Sequence, residues 1–514
     1  MCPVEVADGI MQPEMVALFG EISTRTLNSS ITAARRVGFS IGNPILPGTS
    51  SLGKGETWTN TARMINQQGA QLLVVRSKLE GLGLHLAQCL EKTATAEDWV
   101  RRDMSIVIGG AGTRDHPTQV LLDLTTIVLR KLGIRRMNEV GKIEEFLQSK
   151  SSEDLQEQIC EILDNLHIAF VGDLRHSRVV HDWVHLSQWF DIKYIMVAPD
   201  LLQIEPWCIE GANFVTGNKL SDVMAADVAY TIRIQLSRLE NNIPRYQAEQ
   251  VIRKLQITPE FLRRFSGEVM DAQPIDNNNP AILPSVQGHR QVAMRMQSAM
   301  GIPARMAISR LCYQNRRESF DLLTVPIFRL NSADILRQED LATHWEKLEA
   351  RYRGQRLFFN AVEQGTVIDR IPPGGARVIN AINRRAGLYS SGRGQRVTAE
   401  EVDSHAMEGK EVIFLHDRWP SFQLASIYGL VFPSVRLSYM KGSQAKGYRR
   451  LELRLPKAVA GVFKCANPEC VTNHDPECDT HFVVIGLRGN AGVKCSHCQR
   501  YYSTENLISD NMIV

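Results

Sequence analysis

The sequence predicts an α/β protein: two parallel-sheet α/β domains, then a smaller α+β domain and a short β module rich in cysteine. Three observations carry this. Short apolar runs alternate with helical patterns through the first 300 residues, as βαβ units do. The character changes after about Leu357, where short β-type segments surround a single helix. Five of the ten cysteines fall in the closing stretch from Cys465 to Cys498.

Element by element, MVALFG (15–20) reads as a buried strand and LNSSITAARRVG (27–38) as a helix stopped at Gly38. QLLVVR (71–76) and MSIVIGG (104–110) are further strands. HPTQVLLDLTTIVLRKLG (116–133) is the clearest helix, with Pro117 in its first turn and Gly133 closing it. A polar stretch, Arg135 to Asp164, reads as an exposed helical insertion. A second α/β unit begins at HIAFVGDL (167–174) and continues through KYIMVAPD (193–200) and DVAYTIRIQ (227–235). QPIDNNNPAILP (273–284) is a loop, and GIPARMAISRLC (301–312) a closing helix. Residues 313–355, charged and helix-like, read as a linker. LFFNAV, EVIFLH and YRRLELRLP are strands around the helical ARVINAINRRAG, and YSSGRGQR (389–396) is a mobile loop.

Composition narrows the function. At 514 residues, 44% hydrophobic and 22% charged, the chain holds apolar material for several cores. A formal charge of +3 with no long basic block argues against a nucleic-acid binder. No apolar run reaches the length of a membrane span, so no membrane partner is expected, and the cytoplasm is the expected compartment. Cys2, Cys89, Cys160, Cys208 and Cys312 are scattered, as idle or buried thiols are.

Polar residues gather where an α/β sheet binds ligands. Ser23, Thr24, Arg25 and Thr26 stand between a strand and a helix; by itself STRT reads first as an ordinary helix cap, and its hydroxyls and guanidinium also suit an anion cradle. SLGKGET (51–57) carries Ser51 and Lys54 in a glycine-bracketed loop, and Arg76 ends a strand. His116 and Gln119 open the helix at 116–133. Arg178 opens another after GDLRHS, and Arg233 and Gln235 follow a strand.

In the tail, Cys465-x4-Cys470 and Cys495-x2-Cys498 form two close pairs, a spacing suited to tetrahedral zinc. Cys478, His474 and His481 compete as ligands; Cys478, alone in its loop, reads as a free thiol. Four thiolates leave no open position, so the zinc (Zn2+) is structural. A nucleic-acid-binding ribbon would need more aromatic and basic residues.

Taken in order, STRT, SLGKGET, R-x-x-x-E-G, HPTQ-x-LLDL-x-TI, VGDL-x-x-x-R-x-VH and R-x-Q resemble the catalytic chain of aspartate carbamoyltransferase. AVEQGTVIDRIPPG (361–374) and the cysteine tail resemble that enzyme's regulatory chain. The resemblance implies a fusion with the carbamoyltransferase fold and a terminal zinc ribbon. Its domains would be a carbamoyl-phosphate domain (1–133, plus a returning helix near 291–312), an aspartate domain (134–290), a linker (313–355), a nucleotide-binding-like domain (356–460) and a zinc domain (461–514).

It also implies roles. Ser23, Thr24, Arg25, Thr26 and Arg76 would hold carbamoyl phosphate, with Ser51 and Lys54 lent by a neighbouring subunit. His116, Thr26 and Arg76 would polarise the carbamoyl oxygen, with Lys54 also catalytic. Gln119 would hold the carbamoyl amide, while Arg178, Arg233 and Gln235 would grip L-aspartate. Asp369 and Lys410 would meet nucleotide effectors of the ATP/CTP type. The zinc module would dock regulatory onto catalytic parts, in an oligomer of catalytic trimers serving pyrimidine biosynthesis. The family's HPLPR, which includes a cis proline, is matched only by DAQPI (271–275), where Ile275 stands at the arginine's place. An ornithine-type enzyme and an inactive scaffold are the alternatives.

Overall fold

The computed structural model describes residues 12–47, 51–96, 104–135, 149–209, 211–240, 242–316, 327–329, 345, 348–351, 364–388, 397–404, 407–441, 448–486 and 491–503. The chain divides into two compact units, Met1–Ser319 and Phe320–Val514.

The first unit opens with strand β1 (Glu14–Phe19), helix α1 (Thr24–Arg36), β2 (Ser40–Ile41), α2 (Trp58–Gln67), β3 (Ala70–Ser77), α3 (Leu82–Ala96), β4 (Ser105–Ala111) and α4 (Pro117–Lys131). The strands form a parallel sheet in the order β2-β1-β3-β4. Every residue of β3 is buried, as its unbroken apolar run requires of a strand covered on both faces.

A second parallel sheet, in the order β7-β6-β5-β8-β9, uses β5 (His167–Gly172), β6 (Lys193–Val197), β7 (Asn213–Gly217), β8 (Val228–Ile232) and β9 (Glu268–Asp271). Helix α5 (Ser152–Asp164) precedes β5, and α6 (Arg178–His185) follows it. Three short helices, α7 (Leu236–Glu240), α8 (Arg245–Lys254) and α9 (Pro259–Arg264), lead into β9. The last helix, α10 (Met294–Gln314), returns to pack on α1 and α4. In each sheet the chain reverses its direction of travel beside the first strand, between β1 and β3 and between β5 and β8. Ligands of open α/β sheets bind at that point, outside the carboxyl ends of the strands.

Several expectations shift. Helix α1 starts at Thr24 rather than Leu27, so Arg25 and Thr26 lie in its first turn. The stretch read as an exposed insertion contains α5, whose Leu163 is buried in the second sheet's core. Helix α10 starts well before Gly301. The Gly301–Pro303 punctuation reads locally as a start, but the face formed by Met294, Gln297, Met300 and Ala304 is buried, and packing carries the helix through. The 273–284 loop holds a cis peptide at Gln273–Pro274.

The second unit has two sheets. One is antiparallel, in the order β11-β16-β15-β12-β14-β13, and the other follows β10-β17-β18-β19-β20. Strands β10 (Ile327–Arg329) and β11 (Glu349–Arg351) come from the stretch read as a linker. Trp345 from the same stretch is buried in the core beside them. The charged residues around Trp345 and Leu348 give that stretch a helical look, while its apolar side chains supply the tertiary contacts. Next come β12 (Gly365–Ile371), helix α11 (Gly375–Arg385), β13 (Val397–Ser404), β14 (Met407–His416), helix α12 (Phe422–Val431), β15 (Arg436–Met440) and β16 (Tyr448–Leu451). Strands β17 (Ala458–Ala460), β18 (His481–Ile485), β19 (Gly492–Cys495) and β20 (Tyr501–Ser503) finish the chain. Residues 357–362 and 389–396, read as a strand and a loop, lie outside the described residues. Among the described residues no helix is long and apolar enough to cross a membrane.

Candidate active site and zinc centre

The carboxyl ends of β1, β3, β5 and β8 bring charged side chains to one crevice in the first unit. Ser23 occupies the N-cap position of α1, but its side chain makes no capping bond; its hydroxyl donates to Thr26 Oγ1 at 3.1 Å. The ordinary-cap reading of STRT is therefore not the one realised. Thr26 is buried, while Thr24 and Arg25 are exposed.

Arg76, near the end of β3, is buried and donates to the Gly109 carbonyl at 2.9 Å. Arg178, the first residue of α6, donates to the Gly112 carbonyl at 3.2 Å. Both guanidiniums pass over Gly110. A Cβ there would stand 2.7 Å from Arg76 Nη1 and 3.2 Å from Arg178 Nη1, and Gly110 has a φ of +134°. The backbone φ there calls for glycine, and a side chain would also push the Arg76 guanidinium aside. Burial first, then the charges of Arg178, Arg305 and Arg25, together lower the Arg76 pKa to about 10, against Glu21. A buried cluster of like charges with so little compensation is built to receive an anion.

Glu21 is the local counter-charge, its Oε2 3.6 Å from Arg76 Nε and 3.7 Å from Arg178 Nη1. It adjoins STRT, yet a lone acid at a strand end gives sequence reading no signal.

His116 is buried at the N-cap position of α4, where its side chain makes no capping bond, and its backbone N–H donates to Asp182 Oδ2. Burial first, then Arg178, Arg76 and Arg305, hold its pKa well below the usual histidine value. The ring is neutral and can donate one N–H. Its Nδ1 lies 3.3 Å from Thr118 Oγ1, which accepts from Arg305 Nη2 at 3.1 Å. Gln119 Nε2 donates to Asp123 Oδ1 at 3.0 Å.

Arg233 and Gln235 lie just past β8, both half-buried, and Arg233 and Arg25 each act electrostatically on Asp271. Lys54 is exposed at the end of a 3-10 turn (Ser51–Lys54), and among the described residues no hydrogen bond or ion pair ties it to the arginines. The Ser51 side chain lies outside the described set. The crevice thus gathers Ser23, Arg25, Thr26, Arg76, His116, Gln119, Arg178 and Arg233, and leaves Lys54 apart.

In the second unit the Sγ atoms of Cys465, Cys470, Cys495 and Cys498 lie within 4.8 Å of one another, all buried. A tetrahedral zinc with bonds of about 2.3 Å separates its sulfurs by about 3.8 Å. The Cys465–Cys498 and Cys470–Cys495 separations are 3.6 and 3.9 Å, which fits. Thr472 Oγ1 donates to Cys470 Sγ at 3.2 Å, and Tyr502 Oη lies 3.4 Å from Cys465 Sγ, contacts that orient thiolate ligands. His474 Nε2 reaches the Pro468 carbonyl and His481 Nδ1 reaches Ser496 Oγ. Cys478 is buried beside His497, outside the four-cysteine cluster.

Comparison with known proteins agrees at both ends of the chain. Residues 6–128 match the aspartate/ornithine carbamoyltransferase carbamoyl-P binding domain, and residues 457–508 the aspartate carbamoyltransferase regulatory chain metal binding domain. The catalytic subunit of Archaeoglobus fulgidus aspartate carbamoyltransferase is 28% identical over 293 residues, covering 57% of this chain and 83% of that one. The regulatory chain of Saccharolobus solfataricus is 32% identical over 153 residues, covering 30% of this chain and 92% of that one. The chain belongs to the aspartate carbamoyltransferase family, its catalytic and regulatory parts joined. Among solved structures, the M. jannaschii catalytic subunit is similar at 29% identity and a TM-score of 0.46, covering 60% of this chain and 87% of that one.

As in aspartate carbamoyltransferase regulatory chains, the metal-binding domain carries four clustered cysteines suited to structural zinc. They belong to the same apolar core as Leu424 and Tyr428 of α12, so the metal would brace that core. Elsewhere in that part, Asp369 lies 4.0 Å from Arg450, and the charges of Arg370, Arg436 and Lys410 also act on it, although burial raises its pKa overall. Arg370, Ser434, Arg436 and Arg450 line a cleft of about 420 Å³. The three arginines come from separate strands and strand ends, so no local stretch of sequence groups them with Asp369 and Lys410.

Proposed function

We propose that this chain transfers the carbamoyl group of carbamoyl phosphate to the amine of L-aspartate, giving N-carbamoyl-L-aspartate and phosphate, a step of pyrimidine biosynthesis. The reading rests on one observation: a neutral, donating His116 stands among arginines delivered by two different sheets. Ser23, Thr24, Arg25, Thr26 and Arg76 hold the phosphate; Arg178, Arg233 and Gln235 hold the two carboxylates, for which guanidinium forks are apt partners.

The amine nitrogen attacks the carbamoyl carbon, and the carbonyl oxygen gains negative charge as the tetrahedral centre forms. The N–H of His116, the Thr26 hydroxyl and Arg76 stabilise that oxygen. The C–O bond to phosphate then breaks, and the departing phosphate takes the proton from the amine. Catalysis is positioning and electrostatics, without a covalent enzyme intermediate. Ornithine would bring a cation to a crevice already rich in cations.

Residues 1–133 with the returning helix serve carbamoyl phosphate, and residues 134–290 serve aspartate. Ser51 and Lys54 act from a neighbouring copy in a catalytic trimer, and trimers pair through the regulatory parts. The arginine-lined cleft beside Asp369 takes a nucleotide effector. The test is product formation from carbamoyl phosphate with aspartate or with ornithine, against a His116→Ala control. No product with either amine sinks the enzyme reading, and turnover of ornithine alone sinks the aspartate assignment.

A further inference from the structure

Asp123 is fully buried, 0% exposed, and lies beneath the crevice rather than in it. Four donors from four elements converge on its carboxylate. Oδ1 accepts from Gln119 Nε2 at 3.0 Å and from Gln297 Nε2 at 2.7 Å. Oδ2 accepts from the Tyr230 hydroxyl at 2.8 Å and lies 3.5 Å from Trp183 Nε1. These partners sit on α4, α10, β8 and α6, so one side chain joins both sheets' layers.

A carboxylate only accepts, whereas a side-chain amide has one accepting and one donating end of nearly equal shape. An ionised Asp123 therefore dictates which way each attached amide faces. For Gln297 the outcome is visible: with Nε2 on Asp123, its Oε1 accepts the Asp271 N–H at 3.2 Å. Asp271 in turn accepts the Gln273 N–H at 2.6 Å, ahead of the cis Gln273–Pro274 peptide. Gln119 is bound in the same sense, so its Oε1 is the end left for a ligand.

We propose that Asp123 is the positioning residue for carbamoyl specificity: it fixes the Gln119 amide so that an acceptor, not a donor, meets the ligand's –NH2 group. This rests on the carbamoyl-transfer reading above. An –NH2 group donates two hydrogen bonds, while the methyl group of an acetyl donor of similar shape gives none. Fixing an acceptor there rewards the carbamoyl group alone. If Gln119 could turn, its own –NH2 would oppose the carbamoyl –NH2, and the preference would fade.

The test compares kcat/KM for carbamoyl phosphate and for acetyl phosphate, each with aspartate, in the full chain at pH 8, where Asp123 is mostly ionised. Asp123→Asn offers Gln119 a donor as well as an acceptor, so the Gln119 amide is no longer held in one sense, and the variant is expected to cut the carbamoyl-to-acetyl ratio by roughly ten- to a hundredfold, the worth of one mispaired buried hydrogen bond. Trp183→Phe removes a donor to Asp123 Oδ2, the oxygen that Gln119 does not use, and should leave the ratio within about twofold. In a Gln119→Leu background, Asp123→Asn should change the ratio no further. Should Asp123→Asn not be recovered folded, Asp123→Ser, which removes the carboxylate, is read the same way. An equal fall with both donors in the Asp123 variant, with the ratio unchanged, overturns the proposal and leaves the parent reading standing. A wild-type chain that transfers neither group overturns both.

Discussion

Replacing Asp123 by Asn separates charge from shape, and its effect on stability has a calculable pH dependence. Burial raises the Asp123 carboxyl from 3.8 to about 7, even though Gln297, Tyr230, Gln119 and Trp183 all favour the ionised form. The folded chain therefore holds this proton more tightly than the unfolded chain does. Folding takes up a proton between about pH 4 and pH 7, so stability falls as pH rises through that window and levels off above it. At about 1.4 kcal/mol per pKa unit, the whole effect is on the order of 4 kcal/mol, with roughly 3 kcal/mol of it between pH 5 and pH 8. Asn does not titrate, while Tyr230, Asp271 and Arg305 around the site are common to both chains. Whatever Asp123→Asn costs at pH 5, the difference from wild type should thus move in the variant's favour by about 3 kcal/mol at pH 8. Urea unfolding followed by tryptophan fluorescence, at half-unit steps of pH, measures this directly. A difference that stays flat across the range would refute both the buried ionisation and the reasoning built on it.

Three further outcomes follow from the same geometry. On the proposed mechanism His116 donates to the developing oxyanion, so His116→Ala should lower kcat by about a hundred- to a thousandfold with KM for aspartate little changed, read by steady-state kinetics. Gly110→Ala sets a methyl group 2.7 Å from Arg76 Nη1 and should weaken phosphate binding at least tenfold, measured by calorimetry; unchanged affinity would mean the arginines do not define the anion site. Cys495→Ser should lose zinc and lower the melting temperature of the regulatory part, while Cys478→Ser keeps both. Metal analysis of the two purified variants distinguishes them, and equal metal loss would redraw the ligand set.

The parallel sheets, the clearest helix and the four-cysteine pairing were legible because each is written at short range. An apolar run such as LLVV must be covered on both faces, Pro117 and Gly133 punctuate a helix locally, and two close cysteine pairs have the spacing of a zinc ligand set. The start of α10 was not legible, since Gly301 and Pro303 read as a boundary and only burial of Met294 to Met300 overrides them. Nor were the strands hidden in the charged stretch around Trp345, which have meaning only once β16 and β17 are there to pair with.

The same division holds in the crevice. By itself the sequence determined which polar residues stand at strand ends and helix starts, because connectivity brings those ends to one edge of a parallel sheet. Tertiary structure alone decided how they are tuned. Glu21 partners Arg76 and Arg178 across two sheets, and Arg305 reaches Thr118 from 187 residues away. Asp123, an ordinary-looking acid within LLDL, becomes a fully buried acceptor of four hydrogen bonds. Burial and the convergence of distant charges set protonation and orientation, and neither is encoded in any local stretch of residues.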